Sequence, residues 1–209
     1  MQSPVFKVNF ALSALPEFPQ ADHAVRGTVN VGGGAAALHA SYEAARAGEV
    51  SDELWCELYC QTAADPSVAP EGLHVMSAFC QYVPYALTEG TWDARRDEIA
   101  DRVERSIERF APGFRERVLH REALAPPDVE AKIGLTGGHI FQGECLPEFM
   151  WDRRLPYRTP IQGVYLCGAA THPGGSVIAA TGIPVATAAP AASAAPRSAK
   201  DTRPMPPRT

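Results

Sequence analysis

The chain has 209 residues, a formal net charge of −5 at pH 7 and a hydrophobic content of 45%. This composition is that of an ordinary globular protein, with enough residues for one domain or one and a half. Its 19 Lys and Arg residues are scattered among 24 Asp and Glu residues. Because phosphate binding needs a basic face, this balance argues against a nucleic-acid partner.

Neither a membrane span nor a metal site is indicated by the sequence. No stretch reaches the roughly 18 apolar residues that cross a bilayer, and the first residues lack the basic and apolar regions of a secretion signal. The five cysteines include no pair with the two-residue spacing of zinc ligands. We therefore expect no transmembrane segment, no metal, reduced thiols and a cytoplasmic location.

The first half of the chain is predicted to contain four strands and one helix. Apolar and polar residues alternate over Phe6–Leu12, and a second short strand is predicted at Thr28–Val31. A helix follows at residues 35–47 and ends at a glycine. Strands are then predicted at residues 54–62 and 73–83, both rich in β-branched, aromatic or other apolar residues.

The longest predicted helix begins after Thr91, which has the hydroxyl of a good N-cap. Its apolar residues Ile99, Val103, Ile107 and Phe110 are spaced by four, four and three, so one face of the helix is expected to be buried.

Regular elements become shorter after this helix. A strand is predicted at residues 118–123, then a break at Pro126-Pro127 and a short helix through Lys132. The last strand is predicted at residues 161–167. Fourteen of the final 26 residues are Ala or Pro, a composition that buries too little surface to offset ordering, so residues 184–209 are expected to be disordered.

A segment rich in small residues carries the strongest functional signal. Residues 163–182 (GVYLCGAATHPGGSVIAATG) suggest a buried strand, a turn and a helix that begins near Gly174 or Gly175. Small residues let a ligand approach the backbone, and a helix N-terminus presents N–H groups to an anion. The pattern suits the pyrophosphate and ribityl chain of a dinucleotide, although glycines that only permit a tight turn would give the same pattern.

The run from residue 157 to 175 (YRTPIQGVYLCGAATHPGG) resembles the C-terminal signature of phytoene-desaturase-like flavoproteins, a branch of the amine-oxidase-related FAD superfamily. In that family an apolar strand ends in Cys-Gly or Ala-Gly and is followed by Thr-His-Pro-Gly-Gly and a helix. Four upstream stretches resemble the subgroup called pyridine nucleotide-disulfide oxidoreductase domain-containing protein 2, and they lie at residues 6–9, 65–70, 81–85 and 137–141. The resemblance covers roughly residues 5–183.

This resemblance implies an FAD-dependent oxidoreductase whose flavin takes hydride from an apolar or amine-like small-molecule substrate. It implies no particular catalytic residue. Ala169 stands where many members of the wider superfamily have an acid for a ribityl hydroxyl, but the phytoene-desaturase-like branch also lacks that acid. The residues that the resemblance places along the ribityl–flavin end of the cofactor are Gly168, Ala169, Thr171, His172, Pro173, Gly174, Gly175 and Val177.

We therefore predict an α+β fold with a mixed sheet and helices. Residues 1–156 are expected to form a substrate-domain portion, residues 157–183 the terminal strand, turn and helix of an FAD-binding domain, and residues 184–209 a tail. The family begins with a strand and a Gly-x-Gly-x-x-Gly turn that binds ADP, and this start is absent here. We expect the chain to be a C-terminal portion without the N-terminal Rossmann half, which is then an expected partner.

Two alternatives remain open. One is a catalytically inactive truncated fragment. The other is a nicotinamide-binding module built on Gly32-x-Gly34-x-x-Ala37, because this run lies between a predicted strand and a predicted helix, with Glu53 and Glu57 about 20 residues further on. The preceding strand has only four residues, which favours an ordinary helix start.

Two histidines are candidate acid–base groups because histidine titrates near neutral pH. They are His139, after two glycines, and His172, in the C-terminal turn. A structural role is the alternative for both, since hydride transfer to flavin from an alkane-like substrate needs no protein base. Tyr82, Tyr85 and Trp151 are aromatic residues that could line an apolar tunnel or belong to the core.

Overall fold

The computed structural model of the chain describes residues 4–19, 21 and 24–175, which fall in two compact units, Met1–Glu144 and Cys145–Thr209. Val177, the helix predicted to follow Gly174 or Gly175 and the predicted tail at residues 184–209 lie outside the described residues. Each unit is considered by itself.

All regular strands and helices of the described residues belong to the first unit. The strands are β1 (Phe6–Leu12), β2 (Thr28–Val31), β3 (Trp55–Tyr59), β4 (His74–Gln81) and β5 (Val118–Leu124). The α-helices are α1 (Gly34–Arg46), α2 (Gln61–Ala64), α3 (Trp92–Glu108), α4 (Phe114–Arg117) and α5 (Pro126–Ile133). Short 3₁₀ turns occupy Ala24–Arg26, Pro66–Val68, Thr136–Gly138, Pro147–Phe149 and Trp151–Arg153.

The strands form one sheet in the order β2-β3-β4-β1-β5. Every neighbouring pair in it is antiparallel. The predicted α+β class is confirmed, whereas the expected mixed pairing is not found in the described part of the chain. Strand direction could not be read from the sequence, because one-sided burial produces the same alternation in either orientation of a neighbour.

One face of the sheet and helix α3 enclose the core. Residues Phe6, Phe10 and their alternate neighbours in β1 are buried, and Ile99 and Ile107 of α3 are fully buried. The Phe10 ring meets the edge of Phe114 at a centroid distance of 5.3 Å. Burying one such side chain contributes about 1.5–3 kcal/mol, so this face is a large source of stability for the first unit.

The predicted N-cap of α3 is confirmed, because Thr91 Oγ1 accepts a hydrogen bond from the N–H of Ala94 at 3.3 Å. We expect Thr91→Ala to lower the free energy of unfolding by about 1 kcal/mol, since it leaves this N–H without its acceptor. Urea denaturation followed by circular dichroism measures the change. Thr91→Ser keeps the hydroxyl and is the control. If the serine variant lost as much stability as the alanine variant, the hydrogen bond would not be the cause.

Two predicted boundaries need correction. The Pro126-Pro127 pair does not break the chain before a helix; it begins α5, because proline is tolerated in the first helical turn, where its missing N–H is not needed. The N–H of Ala125 donates to the Asp128 carboxylate at 2.7 Å. The strand predicted at residues 54–62 ends at Tyr59, because the chain turns into α2.

The strand predicted at residues 161–167 is not formed. The N–H of Val164 instead donates to the carbonyl of Ile161 at 3.1 Å, which closes a turn. Gly163 has a φ of +79°, outside the extended region. Within the described residues, this stretch is paired only by an isolated bridge between Arg158 and Tyr165. A strand needs a neighbouring strand to satisfy its backbone N–H and C=O groups, so an apolar run without one does not form a strand.

No helix in the part of the chain that the structure describes is long and apolar enough to cross a bilayer.

Candidate functional site

The C-terminal glycine turn is closed by Thr171. Its N–H and its Oγ1 both donate to the carbonyl of Gly168, at 3.0 and 2.8 Å. The N–H of Gly175 donates to the carbonyl of Ala169 at 2.9 Å. Thr171 is only 2% exposed. The sequence-predicted residues from 168 to 175 are therefore brought together in one hydrogen-bonded turn, with Thr171 on its inner side.

Residues 151–155 of the same unit support the turn. The N–H of His172 donates to the carbonyl of Leu155, and the N–H of Trp151 donates to the carbonyl of Pro173, each at 3.0 Å. The peptide bond between His172 and Pro173 is cis. Two backbone hydrogen bonds thus hold the turn against the preceding loop.

Two glycines of the turn share a positive φ but differ in the space around them. Gly168 and Gly174 have φ values of +116° and +99°, which favour glycine. A Cβ at Gly168 would have no atom of the described residues within 4 Å, whereas a Cβ at Gly174 would overlap Arg154 Nε and lie 2.8 Å from its Cγ. No described residue therefore fills the space beside Gly168, while the space beside Gly174 is filled by Arg154.

Arg154 is a residue of this site that sequence reasoning missed. It is 8% exposed, and its Nη2 lies 3.6 Å from Cys145 Sγ and 3.8 Å from Met150 Sδ. In the sequence it is the second of two adjacent arginines in a loop, a pattern that is usually solvent-exposed. A buried guanidinium favours an electron-rich or anionic group nearby.

Among the described residues, no acceptor takes the N–H of Ala169 or of Ala170, and both residues are half-buried. Consecutive backbone N–H groups of this kind form concave sites for anionic or hydroxyl oxygens. Ala169 carries no acid, so its contribution to a ligand would come from the backbone.

The two candidate histidines differ in burial. His172 is exposed. His139 is 7% exposed, and its Nδ1 accepts from the N–H of Phe141 at 3.3 Å. His139 is thus engaged within its own loop in the first unit.

The predicted aromatic candidates also have local contacts. Tyr82 packs edge-on against Tyr42 at 5.5 Å. The Tyr85 hydroxyl donates to Glu130, which raises the pKa of Tyr85 and lowers that of Glu130. Trp151 is 61% exposed, in the second unit. These three aromatic residues are therefore not brought together within either unit.

The nicotinamide-binding alternative at Gly32 to Ala37 is wrong. Strand β2, which leads into these glycines, is antiparallel to β3, whereas a nucleotide-binding strand–helix–strand unit needs parallel strands. A Cβ at Gly32 would lie 2.7 Å from Trp55, and one at Gly33 would lie 2.8 Å from Ala37. Close packing accounts for these two glycines.

The acids considered for ribose binding in that alternative are already engaged. Glu53 accepts from Arg109 at 2.8 Å, and Glu57 accepts from the Tyr59 hydroxyl at 2.8 Å. No group of three or more metal-ligating side chains forms among the residues described.

The second unit exposes an unusual number of large apolar side chains. Each is at least 38% exposed, and they are Leu146, Phe149, Trp151, Leu155, Ile161, Val164 and Leu166. Single exposed apolar residues are ordinary, but several in a stretch of this length are typical of a surface that other protein or a ligand covers.

The chain is similar in sequence to known oxidoreductases, phytoene desaturases among them. No family model matches the chain. A lycopene-forming phytoene desaturase of Paracoccus sp. is 25% identical over 136 residues, which are 64% of this chain and 27% of the desaturase.

A stronger similarity is to pyridine nucleotide-disulfide oxidoreductase domain-containing protein 2. The rat protein is 41% identical over 198 residues, which cover 87% of this chain and 34% of the relative. The mouse protein is 40% identical over the same length. The resemblance predicted from the motifs is confirmed, and the chain spans about a third of the length of these relatives.

Proposed function

We propose that this chain is the C-terminal part of an FAD-dependent oxidoreductase of the phytoene-desaturase-like group. The observation that carries the proposal is the space beside Gly168, which no described residue fills, next to the N–H groups of Ala169 and Ala170, which have no acceptor among the described residues. A glycine backbone next to two N–H donors of this kind fits the ribityl–flavin end of the cofactor. The similarity to phytoene desaturases supports the same reading.

The residues of the turn would hold the cofactor in different ways. The N–H groups of Ala169 and Ala170 would donate to its oxygens, and Arg154 would place a positive charge behind the turn. Thr171 is a positioning residue, because both of its donors are used on Gly168. The other residues proposed to line the cofactor are His172, Pro173, Gly174, Gly175 and Val177. When bound, the flavin supplies the hydride acceptor.

We further propose an apolar or amine-like substrate, which residues 1–156 would help to bind. The antiparallel sheet supports this role, because α3 packs on one of its faces while side chains such as Asn9 and Ala11 on the other are only half-buried. The exposed apolar side chains of the second unit support the proposal that further protein, equivalent to the rest of the relatives, covers them.

A hybrid protein tests the proposed function. The rat relative is truncated before the third that matches this chain, and the chain is fused in its place. We expect the truncated rat protein to purify without flavin and the hybrid to regain a stoichiometric flavin absorbance band. A hybrid that is folded by circular dichroism but colourless would contradict the proposal and favour the catalytically inactive fragment.

A further inference from the structure

A cavity of about 490 Å³ lies in the first unit, on the face of the sheet opposite α3. Its walls come from β1, β3, β4, α2 and the turn that precedes β2. The residues that matter for its chemistry are Lys7, Arg26, Tyr59, Gln61, Ser77 and Phe79. Volumes of this size accommodate small organic ligands.

Lys7 places an ammonium group in an unusually apolar part of this cavity. It lies on β1, a strand paired on both sides, between Phe79 of β4 and Leu124 of β5 in the strand register. Its Nζ stands 4.2 Å over the Phe79 ring. Burial lowers the pKa of Lys7, and no carboxylate pairs with it among the described residues. A desolvated cation in this position is stabilised by an anionic partner.

The carboxylates that border this face are already engaged. Glu57 accepts from the Tyr59 hydroxyl at 2.8 Å, an interaction that raises the pKa of Tyr59. Glu122 pairs with Lys132 at 2.7 Å. The cavity lining contains two cations, Lys7 and Arg26, and no acid. The anionic partner of Lys7 is therefore not supplied by these neighbouring side chains.

The other walls indicate what kind of anion fits. The ring of Phe79 and the ring of Tyr59 meet edge-on at a centroid distance of 5.9 Å and give the cavity an aromatic wall. Ser77 is 5% exposed, and its hydroxyl is hydrogen-bonded to the side-chain amide of Gln61 at 2.7 Å. Apolar walls around one half-buried ammonium suit a singly charged head with an apolar body better than a multiply charged phosphate, which would need several donors.

We propose that this cavity binds the carboxylate of a small amphipathic molecule. Lys7 pairs with the carboxylate, Arg26 attracts it at the rim, and the apolar body of the ligand lies against Phe79 and Tyr59. This site is formed within the first unit alone and does not depend on flavin binding.

Calorimetric titration of the full chain with octanoate tests the proposal, with octanol and inorganic phosphate as comparison probes. We expect octanoate to bind and Lys7→Met to weaken it by at least about tenfold, the equivalent of 1.4 kcal/mol. Lys7→Arg should retain most of the affinity. Arg26→Gln should have a smaller effect, because Arg26 is exposed. Arg46→Met removes an exposed cation outside the cavity and should change nothing.

The comparison probes separate the alternatives. Octanol binding as tightly as octanoate would show an apolar cavity without a carboxylate site and would overturn the proposal. Binding of phosphate that depends on Lys7, without binding of octanoate, would also overturn the proposal. The absence of any octanoate binding would overturn it as well. If Lys7→Met fails to fold by circular dichroism, Lys7→Gln replaces it, and undiminished octanoate affinity in that variant would equally exclude the proposed pairing.

Discussion

Replacing Gly168 by leucine should abolish flavin binding in the hybrid with the rat relative, while replacing Gly163 by leucine should leave it near normal. Both glycines have positive φ values, +116° and +79°, and at neither does a described residue come within 4 Å of an added Cβ. A side chain at positive φ costs about 1–3 kcal/mol of backbone strain at either position, so Gly163→Leu shows the effect of a strained leucine in the same unit. Only at Gly168 would the new side chain occupy the space proposed for the cofactor.

The measurement is the flavin content per protein and the dissociation constant of FAD in a fluorescence titration. We expect at least about a hundredfold weaker binding for Gly168→Leu, since a leucine in the cofactor's space forfeits roughly 3 kcal/mol of contact. Gly34→Leu is a second control, because Gly34 also has positive φ and open space but lies in the first unit. Equal losses in Gly168→Leu and Gly163→Leu would remove the evidence for a cofactor beside Gly168.

The elements with strong periodicity could be predicted from the sequence. Strand β1 and helix α3 bury residues such as Phe10, Ile99 and Ile107 at the spacings that each backbone imposes, so their patterns reflect local geometry. The direction of strand pairing could not be predicted in this way. It depends on where the chain returns after each connection, and the mixed sheet expected from the sequence is an antiparallel one in the described residues.

The candidate site was predictable only in part. Small residues between 168 and 175 correctly indicated a tight turn, because glycine at positive φ is a local requirement. The apolar run at residues 161–167 was wrongly predicted to be a strand, since apolarity does not reveal whether a neighbour completes the backbone hydrogen bonds. Arg154 could not be predicted because its burial beside Gly174 is a tertiary contact.

Replacing Gly174 by alanine should destabilise the turn even when no flavin is present. The added Cβ would overlap Arg154 Nε, which belongs to a buried side chain. Overpacking costs about 1–3 kcal/mol, and a Cβ in a left-handed conformation costs about 1–2 kcal/mol more. Hydrogen exchange of the Thr171 and His172 amides, which donate to Gly168 and Leu155, measures this loss locally. A change of about 2 kcal/mol accelerates exchange about thirtyfold.

Arg154→Ala separates the two reasons for a glycine at position 174. In the double variant the added Cβ finds space, so the overpacking should disappear and only the backbone strain should remain. We expect an interaction energy of about 1–3 kcal/mol between the two substitutions in a double-mutant cycle on amide exchange. Additive effects would mean that Arg154 does not exclude a side chain at Gly174. The need for glycine there would then be explained by backbone conformation or by close approach of the cofactor.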